Sequence, residues 1–348
     1  MRESLQRMGS LFYFLVFWIV PMSGSSSGTT SVQSAGPVPD TALSMVFAGD
    51  LNLSDRFEQY TGANGEFAFT EWQKIGPVDA QMVNLENPVT FSSDSSDKEF
   101  VFRMHPRYLK MIKMAGISIV NCANNHLGDF GCAGIVETLF WLDSLGIRHT
   151  GAGRNSSEAR KPVVISFHHK TVGILGYGGD GIHYAGHSAA GTMPCDESTI
   201  VHDVRALAGT VDLVVVNFHW GDENAVVPGD AQIRLAHAVI DAGADLIIGH
   251  HPHVLQGIEY YKKGVIAYSL GNFVFGGNAR EINSETIVLK IEVEKSSWRC
   301  TTMPVMVVQW KPQPADSVKA RRVLDLVAAR SKILNQQMAL HMRGVAYE

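Results

Sequence analysis

From about residue 41 to residue 312, short apolar runs alternate with amphipathic stretches. The apolar runs predict buried strands at residues 43–48, 80–85, 118–122, 163–167, 172–177, 213–218, 246–249 and 265–270. Between several of them, apolar residues recur with helical spacing, near residues 106–115, 133–145, 199–208 and 231–242. Because strands that alternate with helices build sheets covered by helices, the pattern predicts an α/β fold with largely buried strands.

The pattern changes toward the C-terminus. Two apolar runs, at residues 285–293 and 301–309, follow each other without a helical stretch between them, which predicts an antiparallel pair. Pro312 and Pro314 then interrupt the pattern, so the main domain is expected to span residues 41–312. Residues 313–348 predict a basic amphipathic helix that either packs back on the core, the more common fate, or lies on a surface.

The first 40 residues differ from the rest of the chain. Arg2 and Arg7 precede an apolar run at residues 11–20, which Pro21 and small residues follow. This order is typical of a secretory signal peptide, so residues 1–23 are expected to be a signal peptide or an uncleaved membrane anchor. Residues 24–40 are rich in Ser, Gly, Thr and Pro and predict a flexible linker. We therefore expect an exported protein, extracellular or membrane-anchored and facing outside the cytoplasm.

Composition and charge narrow the function classes. The 348 residues are 45% hydrophobic and 18% charged, which is ordinary for a globular protein. A net charge of −5 without a basic stripe argues against a nucleic-acid partner. The four cysteines contain no C-x-x-C pair, so a zinc finger is not supported. Buried thiols are the expected state, and three disulfide pairings stay open for an exported chain.

Candidate ligands for a metal follow five of the predicted strands. Since the carboxyl ends of such strands gather at one crevice, these groups are expected to converge. They are Asp50 and Asn52, then Glu86, then Asn125 and His126, then His219 and Glu223, and finally GHHPH with His250, His251 and His253. Each alone has an ordinary reading, such as a helix cap, a turn residue or a rim carboxylate. Five such strand ends together favour a metal site.

Mixed oxygen and imidazole donors suit Mn, Fe or Zn better than Mg or Ca. The histidines of GHHPH would be neutral donors, and a carboxylate between two ions could bridge them. His251 precedes Pro252, which predicts an extended backbone at His251 and side chains that need not share an ion with His253. A glycine-rich loop at residues 177–187 either covers the site or is a plain surface loop. It is not a P-loop, because the Gly-Lys-Ser/Thr ending is missing.

At these residues the chain resembles the CapA family of poly-γ-glutamate capsule synthesis proteins, whose domain is similar to calcineurin-like metallophosphatases. The matching stretches run in family order from about residue 43 to residue 277: FAGDLNLSDR, NLENPVT, ANNHLGDFG, GAGRNSSEA, HWGDEN, GADLIIGHHPHVLQGIE and YSLGNFVFG. The resemblance implies a four-layer α/β/β/α sandwich and two divalent metal ions at the strand ends.

The resemblance also implies roles for single residues. One ion is expected to be held by Asp50, Asn52 and His253. The other is expected to be held by Asn125, His219 and His251, and Glu86 is expected to lie between the two ions. His126 matches the histidine that protonates the leaving oxygen in the phosphatases. Independently of the resemblance, His250, Glu223, Asp129 and Asn272 are candidates to orient these groups or to bind substrate. Glu223 could instead be a plain rim carboxylate, and satisfaction of nearby backbone is the more common role for an asparagine placed like Asn272. Two positions depart from the phosphatase pattern: Asn52 replaces a histidine and Glu86 replaces an aspartate.

Two functions of different classes follow. In the first, the protein is a metal-dependent hydrolase that acts in the synthesis or export of capsular poly-γ-glutamate. In the second, it is a non-catalytic accessory that binds the acidic polymer or a membrane synthase. Bound cations would attract a polycarboxylate that the net charge of −5 otherwise repels.

Overall fold

The computed structural model describes residues 15–17, 42–61, 68–167, 169–178, 182–276, 284–294 and 297–345. Apart from residues 15–17, the predicted signal peptide or anchor lies outside these described residues, and so does the predicted linker at 24–40. No helix in the described ranges is both long and apolar enough to cross a membrane.

The strands of the described chain follow the predicted apolar runs and add several short ones. In chain order they are β1 (Leu15–Phe17), β2 (Leu43–Asn52), β3 (Ala80–Leu85), β4 (Ile117–Asn121), β5 (Arg148–Thr150), β6 (Ala152–Gly153), β7 (Val163–Phe167), β8 (Lys170–Gly178), β9 (Gly191–Thr192), β10 (Leu213–His219), β11 (Leu246–His250), β12 (Ile258–Tyr261), β13 (Gly264–Ala267), β14 (Asn272–Phe275), β15 (Glu285–Val293), β16 (Trp298–Val308) and β17 (Lys311–Pro314).

The helices lie between the strands as the spacing predicts. They are α1 (Asp55–Thr61), α2 (Leu109–Met114), α3 (Gly131–Ser144), α4 (Ser156–Ala159), α5 (Glu197–Ala208), α6 (Asp230–Ala242) and α7 (Ser317–Val345). Short 3-10 turns occupy Trp72–Ile75 and Pro106–Tyr108.

Two large sheets form the centre of the fold. The first has the order β1-β16-β15-β2-β3-β4-β5, with β14 also pairing with β2 and β17 with β16. Its β2, β3, β4 and β5 are parallel, and β15 and β16 form the predicted antiparallel pair. The second sheet has the order β12-β13-β11-β10-β8-β7, in which β8, β10, β11 and β13 are parallel. Parallel strands place their carboxyl ends at one edge, as the candidate site requires.

Apolar side chains fill three separate layers between the elements. Met45 of β2 packs between the sheets with Val215 of β10. Val46, the next residue of β2, packs on the opposite face with Leu139 of α3. Val216, which follows Val215, packs outward against α5 and α6. Since successive strand side chains point to opposite faces, this alternation builds helix, sheet, sheet and helix layers, which confirms the four-layer α/β/β/α sandwich.

The C-terminal part departs from the sequence-based prediction at the prolines. Pro312 and Pro314 do not end the sheet but lie in β17, which pairs with β16. Proline is tolerated there because an edge strand leaves one row of N–H positions unpaired. The helix α7 begins at Ser317, and its Val323 and Val327 join the core between the sheets. The helix therefore packs on the sandwich.

None of the four cysteines forms a disulfide. Cys122 and Cys300 are buried, and burial raises the pKa of the Cys300 thiol to about 12. Both pack as small apolar side chains in the core.

Candidate metal centre

The ends of four parallel strands deliver the candidate ligands to one place. Asp50 lies near the end of β2 and Glu86 directly follows β3. From the second sheet, His219 ends β10 and His250 ends β11. The site thus lies where the carboxyl edges of the two sheets meet.

Two glycines of the motifs allow the main chains to approach at this edge. A Cβ at Gly49, before Asp50, would lie 1.8 Å from the carbonyl oxygen of Gly271. A Cβ at Gly249, before His250, would lie 1.8 Å from the carbonyl oxygen of Tyr268. Only glycine fits at such a close backbone approach, which explains the pairs Gly-Asp and Gly-His.

Asp50, Glu86 and His253 form the first cluster. Nδ1 of His253 lies 3.3 Å from Oδ2 of Asp50, and its Nε2 lies 3.5 Å from Oε1 of Glu86. One potential ligand atom from each residue falls within 4.8 Å of the others. This spacing is compatible with a single divalent cation.

Glu86, His219 and His251 form the second cluster, with ligand atoms again within 4.8 Å of one another. Nε2 of His219 lies 3.7 Å from Oε1 of Glu86 and 2.8 Å from Oδ1 of Asn125. Glu86 therefore belongs to both clusters, at the position between them that the resemblance implies.

The electrostatics of the clusters fit a cation. Asp50 and Glu86 are fully buried, and within the described ranges no lysine or arginine forms an ion pair with either. Burial and the neighbouring Asp50 raise the pKa of Glu86 well above its usual range. Its Oε1 accepts no hydrogen bond from the described residues. Two buried carboxyl groups this close together cannot both ionise cheaply, and a divalent ion would favour the ionised form of both.

The imidazoles of the two clusters differ in their electrostatics. Although burial opposes it, the Asp50 carboxylate raises the pKa of His253, so this ring carries the charge that balances Asp50 until a cation takes its place. Burial and the neighbouring His251 lower the pKa of His219 well below its usual range, so the ring is neutral. Although burial opposes it, the rings of His250 and His253 hold the pKa of Asp50 well below its usual range, so this carboxyl is ionised. Neutral imidazole and ionised carboxylate are the forms that bind metal, and His219 and Asp50 are in these forms. Binding of a cation would require Glu86 and His253 to release a proton.

Asn52, His250 and Asn272 surround the clusters. Asn52 is engaged with the backbone, since its Nδ2 donates to the carbonyl of Glu86 at 3.1 Å and its Oδ1 accepts the N–H of Ser54 at 3.0 Å. Nδ1 of His250 lies 3.2 Å from Oδ1 of Asp50. Oδ1 of Asn272 lies 2.9 Å from Nδ1 of His253 and orients that ring, rather than satisfying backbone.

The backbone of GHHPH differs from the sequence-based expectation. An extended His251 is expected because Pro252 follows it, but its φ is +95°, and that of His253 is +58°. Left-handed conformations of non-glycine residues cost on the order of 1–3 kcal/mol and are held by the surrounding structure. They bring the ring centroids of His251 and His253 to 6.1 Å, so the two side chains lie in adjacent clusters.

His126 lies beside the clusters and is oriented by Asp129. Nδ1 of His126 is 2.8 Å from Oδ2 of the fully buried Asp129. Asp129 also accepts from Nζ of Lys98 at 2.9 Å and from the N–H of Phe102 at 2.8 Å. Because Asp129 accepts the proton on Nδ1, Nε2 is the nitrogen through which His126 can exchange a proton with a substrate.

Asn84 is a contributor that the sequence analysis did not single out. Its Nδ2 lies 2.9 Å from Oδ1 of Asp50, 3.2 Å from Oε2 of Glu86 and 3.2 Å from Nδ1 of His219. Its Oδ1 accepts from the amides of Asn121 and Asn124 at 3.0 and 3.3 Å, which fixes the orientation of the amide. The stretch NLEN could have indicated this role. Asn84 and Glu86 lie two residues apart, and residues two apart along a strand point to the same face.

We expect Asn84→Ala to weaken Mn²⁺ binding by about 10- to 100-fold, because the variant removes the donor that orients ligands of both clusters. Asn87→Ala is the matched control, since among the described residues the buried Asn87 amide bonds only to the backbone at Leu53 and Pro88. Calorimetric titration of the metal-stripped proteins with Mn²⁺ measures the difference. Equal losses in the two variants would contradict this role for Asn84.

A cavity of about 330 Å³ opens onto the clusters. Asn125, His126, His253 and Glu223 line it on the side of the clusters. Lys98, Phe102, Phe275 and Ile182 contribute further to its wall. Ile182 belongs to the glycine-rich loop at 177–187, so the described part of that loop borders the cavity. Substrate reaching the clusters through this cavity meets His126 and His253 directly.

Comparison with known proteins shows the family of the chain. The sequence pattern of the family described as "Bacterial capsule synthesis protein PGA_cap" matches residues 44–277. The chain belongs to this family. It is 33% identical to the "PGA biosynthesis protein CapA" of Bacillus subtilis (strain 168) over 310 residues, 86% of this chain and 81% of that protein. It is 30% identical to the "Capsule biosynthesis protein CapA" of Bacillus anthracis over 292 residues, 79% of this chain and 70% of that protein.

Among solved structures, a 5'-nucleotidase precursor from Thermus thermophilus aligns with a TM-score of 0.45 and 13% identity, over 85% of this chain and 60% of that chain. The match to the PGA_cap family extends from β2 to just past β14 and includes all the candidate ligands.

Proposed function

We propose that this protein is exported and acts in the synthesis or export of capsular poly-γ-glutamate through a dinuclear, hydrolase-type metal site. The observation that carries the proposal is the buried Glu86 carboxyl, which is shared by the two ligand clusters. The names of the PGA_cap relatives support the polymer, and the apolar run after Arg2 and Arg7 supports export.

The two clusters would hold the ions through residues of this chain. Asp50 and His253 would bind one ion, His219, His251 and Asn125 the other, and Glu86 both. Mn, Fe or Zn suits this donor set. Such a pair supplies polarisation of a carbonyl or phosphoryl group and activation of water.

His126 would deliver a proton from Nε2 to the leaving group, while Asp129 holds the ring through Nδ1. Lys98 and the N–H of Phe102 keep Asp129 in place as an acceptor. A γ-linked amide of the polymer, entering through the cavity, would present its nitrogen as that leaving group. Trimming, transfer or release of the polymer would use this same arrangement.

Metal analysis of the exported domain, from about residue 24 onward, tests the proposal. We expect stoichiometric Mn, Fe or Zn in the wild-type protein and loss of one of the two ions in His251→Ala, because His251 is a member of the second cluster and not of the first. His187→Ala is the control, since His187 is exposed and belongs to neither cluster.

Absence of metal after loading with Mn, Fe and Zn in turn would reject the metal site. The protein would then be a polymer-binding or synthase-associated accessory without catalysis. A wild-type level of both ions in His251→Ala would reject the assignment of ligands to the second cluster.

A further inference from the structure

Glu223 lies in a turn that is fastened to the histidine loop. This turn follows β10, and the N–H of Asn224 donates to the carbonyl of Pro252 at 2.8 Å. Nε2 of Gln256 donates to the carbonyl of Ala225 at 2.8 Å. Since Pro252 lies between His251 and His253, these bonds fix the backbone of Glu223 beside both histidines.

A carboxylate oxygen of Glu223 lies within 4.8 Å of a ring nitrogen of His251 and of His253. These two histidines belong to different clusters, so Glu223 adjoins one ligand of each. Glu86 also adjoins a histidine of each cluster, but it is buried. Glu223 is exposed and lines the cavity. The clusters therefore have a shared carboxyl group on each side.

Building on the function proposed above, we propose that Glu223 is a further metal ligand. It binds the pair of ions held by His251 and His253 from the cavity side and yields to an anionic group of the substrate. An exposed glutamate can leave the ion at little cost, because its side chain regains rotamer freedom and water. The exchange breaks one carboxylate–cation contact and forms one substrate oxygen–cation contact, and no covalent bond changes. Glu223 would thus hold the ion until substrate arrives.

Glu223→Gln tests this exchange, with Glu99→Gln as the matched control. Glu99 is also an exposed carboxylate on the wall of the same cavity, but it belongs to none of the three ligand groups. Loss of Glu99 therefore reports the effect of cavity charge alone. Both variants and the wild-type protein are stripped of metal and titrated with Mn²⁺; the Mn²⁺-loaded proteins are then titrated with inorganic phosphate.

We expect Glu223→Gln to weaken Mn²⁺ binding by about tenfold or more and to strengthen phosphate binding beyond any change in Glu99→Gln. Mn²⁺ affinity equal to that of Glu99→Gln would overturn Glu223 as a ligand. Weaker Mn²⁺ binding without tighter phosphate binding would overturn the exchange with substrate. If the wild-type protein bound no Mn²⁺, the proposed metal site itself would be rejected. This outcome is distinguishable from the two results for Glu223→Gln.

Discussion

Glu86→Gln is expected to abolish the binding of both divalent ions at once. Glu86 supplies the oxygen that both clusters share, with Oε1 at 3.5 Å from Nε2 of His253 and 3.7 Å from Nε2 of His219. An amide in its place removes a charge from both ions, and neither cluster retains three ligands from the set of carboxylates and histidines. We expect the metal content to fall to zero, whereas His251→Ala loses a single ion.

Metal content by mass spectrometry and Mn²⁺ titration measure this loss. Glu259→Gln is the control, because Glu259 is also buried but bonds to His237 and Tyr268, both at 2.7 Å. Retention of either ion in Glu86→Gln would show that Glu86 does not bridge.

His126→Ala is expected to lower turnover by about 10²- to 10⁴-fold, the range typical of a lost general acid. Both ions should stay bound, because His126 belongs to neither cluster. The reaction is measured on γ-linked glutamyl oligomers and on a chromogenic phosphodiester, with metal content determined on the same samples. The phosphodiester with a good leaving group should be less affected, since it needs no proton at the leaving oxygen.

His149→Ala provides the comparison for His126→Ala. His149 also contacts an aspartate, with Nε2 at 3.2 Å from Oδ1 of Asp143, but it lies in β5 outside the cavity. Its loss should leave turnover unchanged. Wild-type turnover in His126→Ala would contradict His126 as the general acid. No turnover in the wild-type protein, together with wild-type capsule output in His126→Ala, would favour an accessory role.

The positions of the strands were predictable because each is a local property of the chain. Residues 80–85 and 163–167 were predicted as strands and are strands, since a continuous or alternating apolar run must be buried. Short edge strands were not predicted. Residues 311–314 contain two prolines and take strand pairing only because β16 lies beside them.

The convergence of Asp50, Glu86, His219 and His253 also followed from the sequence, because strand ends of parallel sheets share an edge. The grouping of these side chains into two clusters did not follow from the sequence. His251 has a φ of +95°, where Pro252 favours extended backbone, and tertiary contacts hold this conformation against the local preference.

The sequence by itself determined the α/β class, the strand ends that carry the polar groups and the family of the chain. The class and the strand ends follow from local runs of apolar residues, and the family follows from short motifs that occur in a fixed order along the chain. Only the tertiary structure decided that Asn84 contacts ligands of both clusters, that Lys98 and Asp129 hold His126, and that Glu223 adjoins His251 and His253. Such contacts join residues far apart in the chain, and their distances depend on how two separate sheets pack.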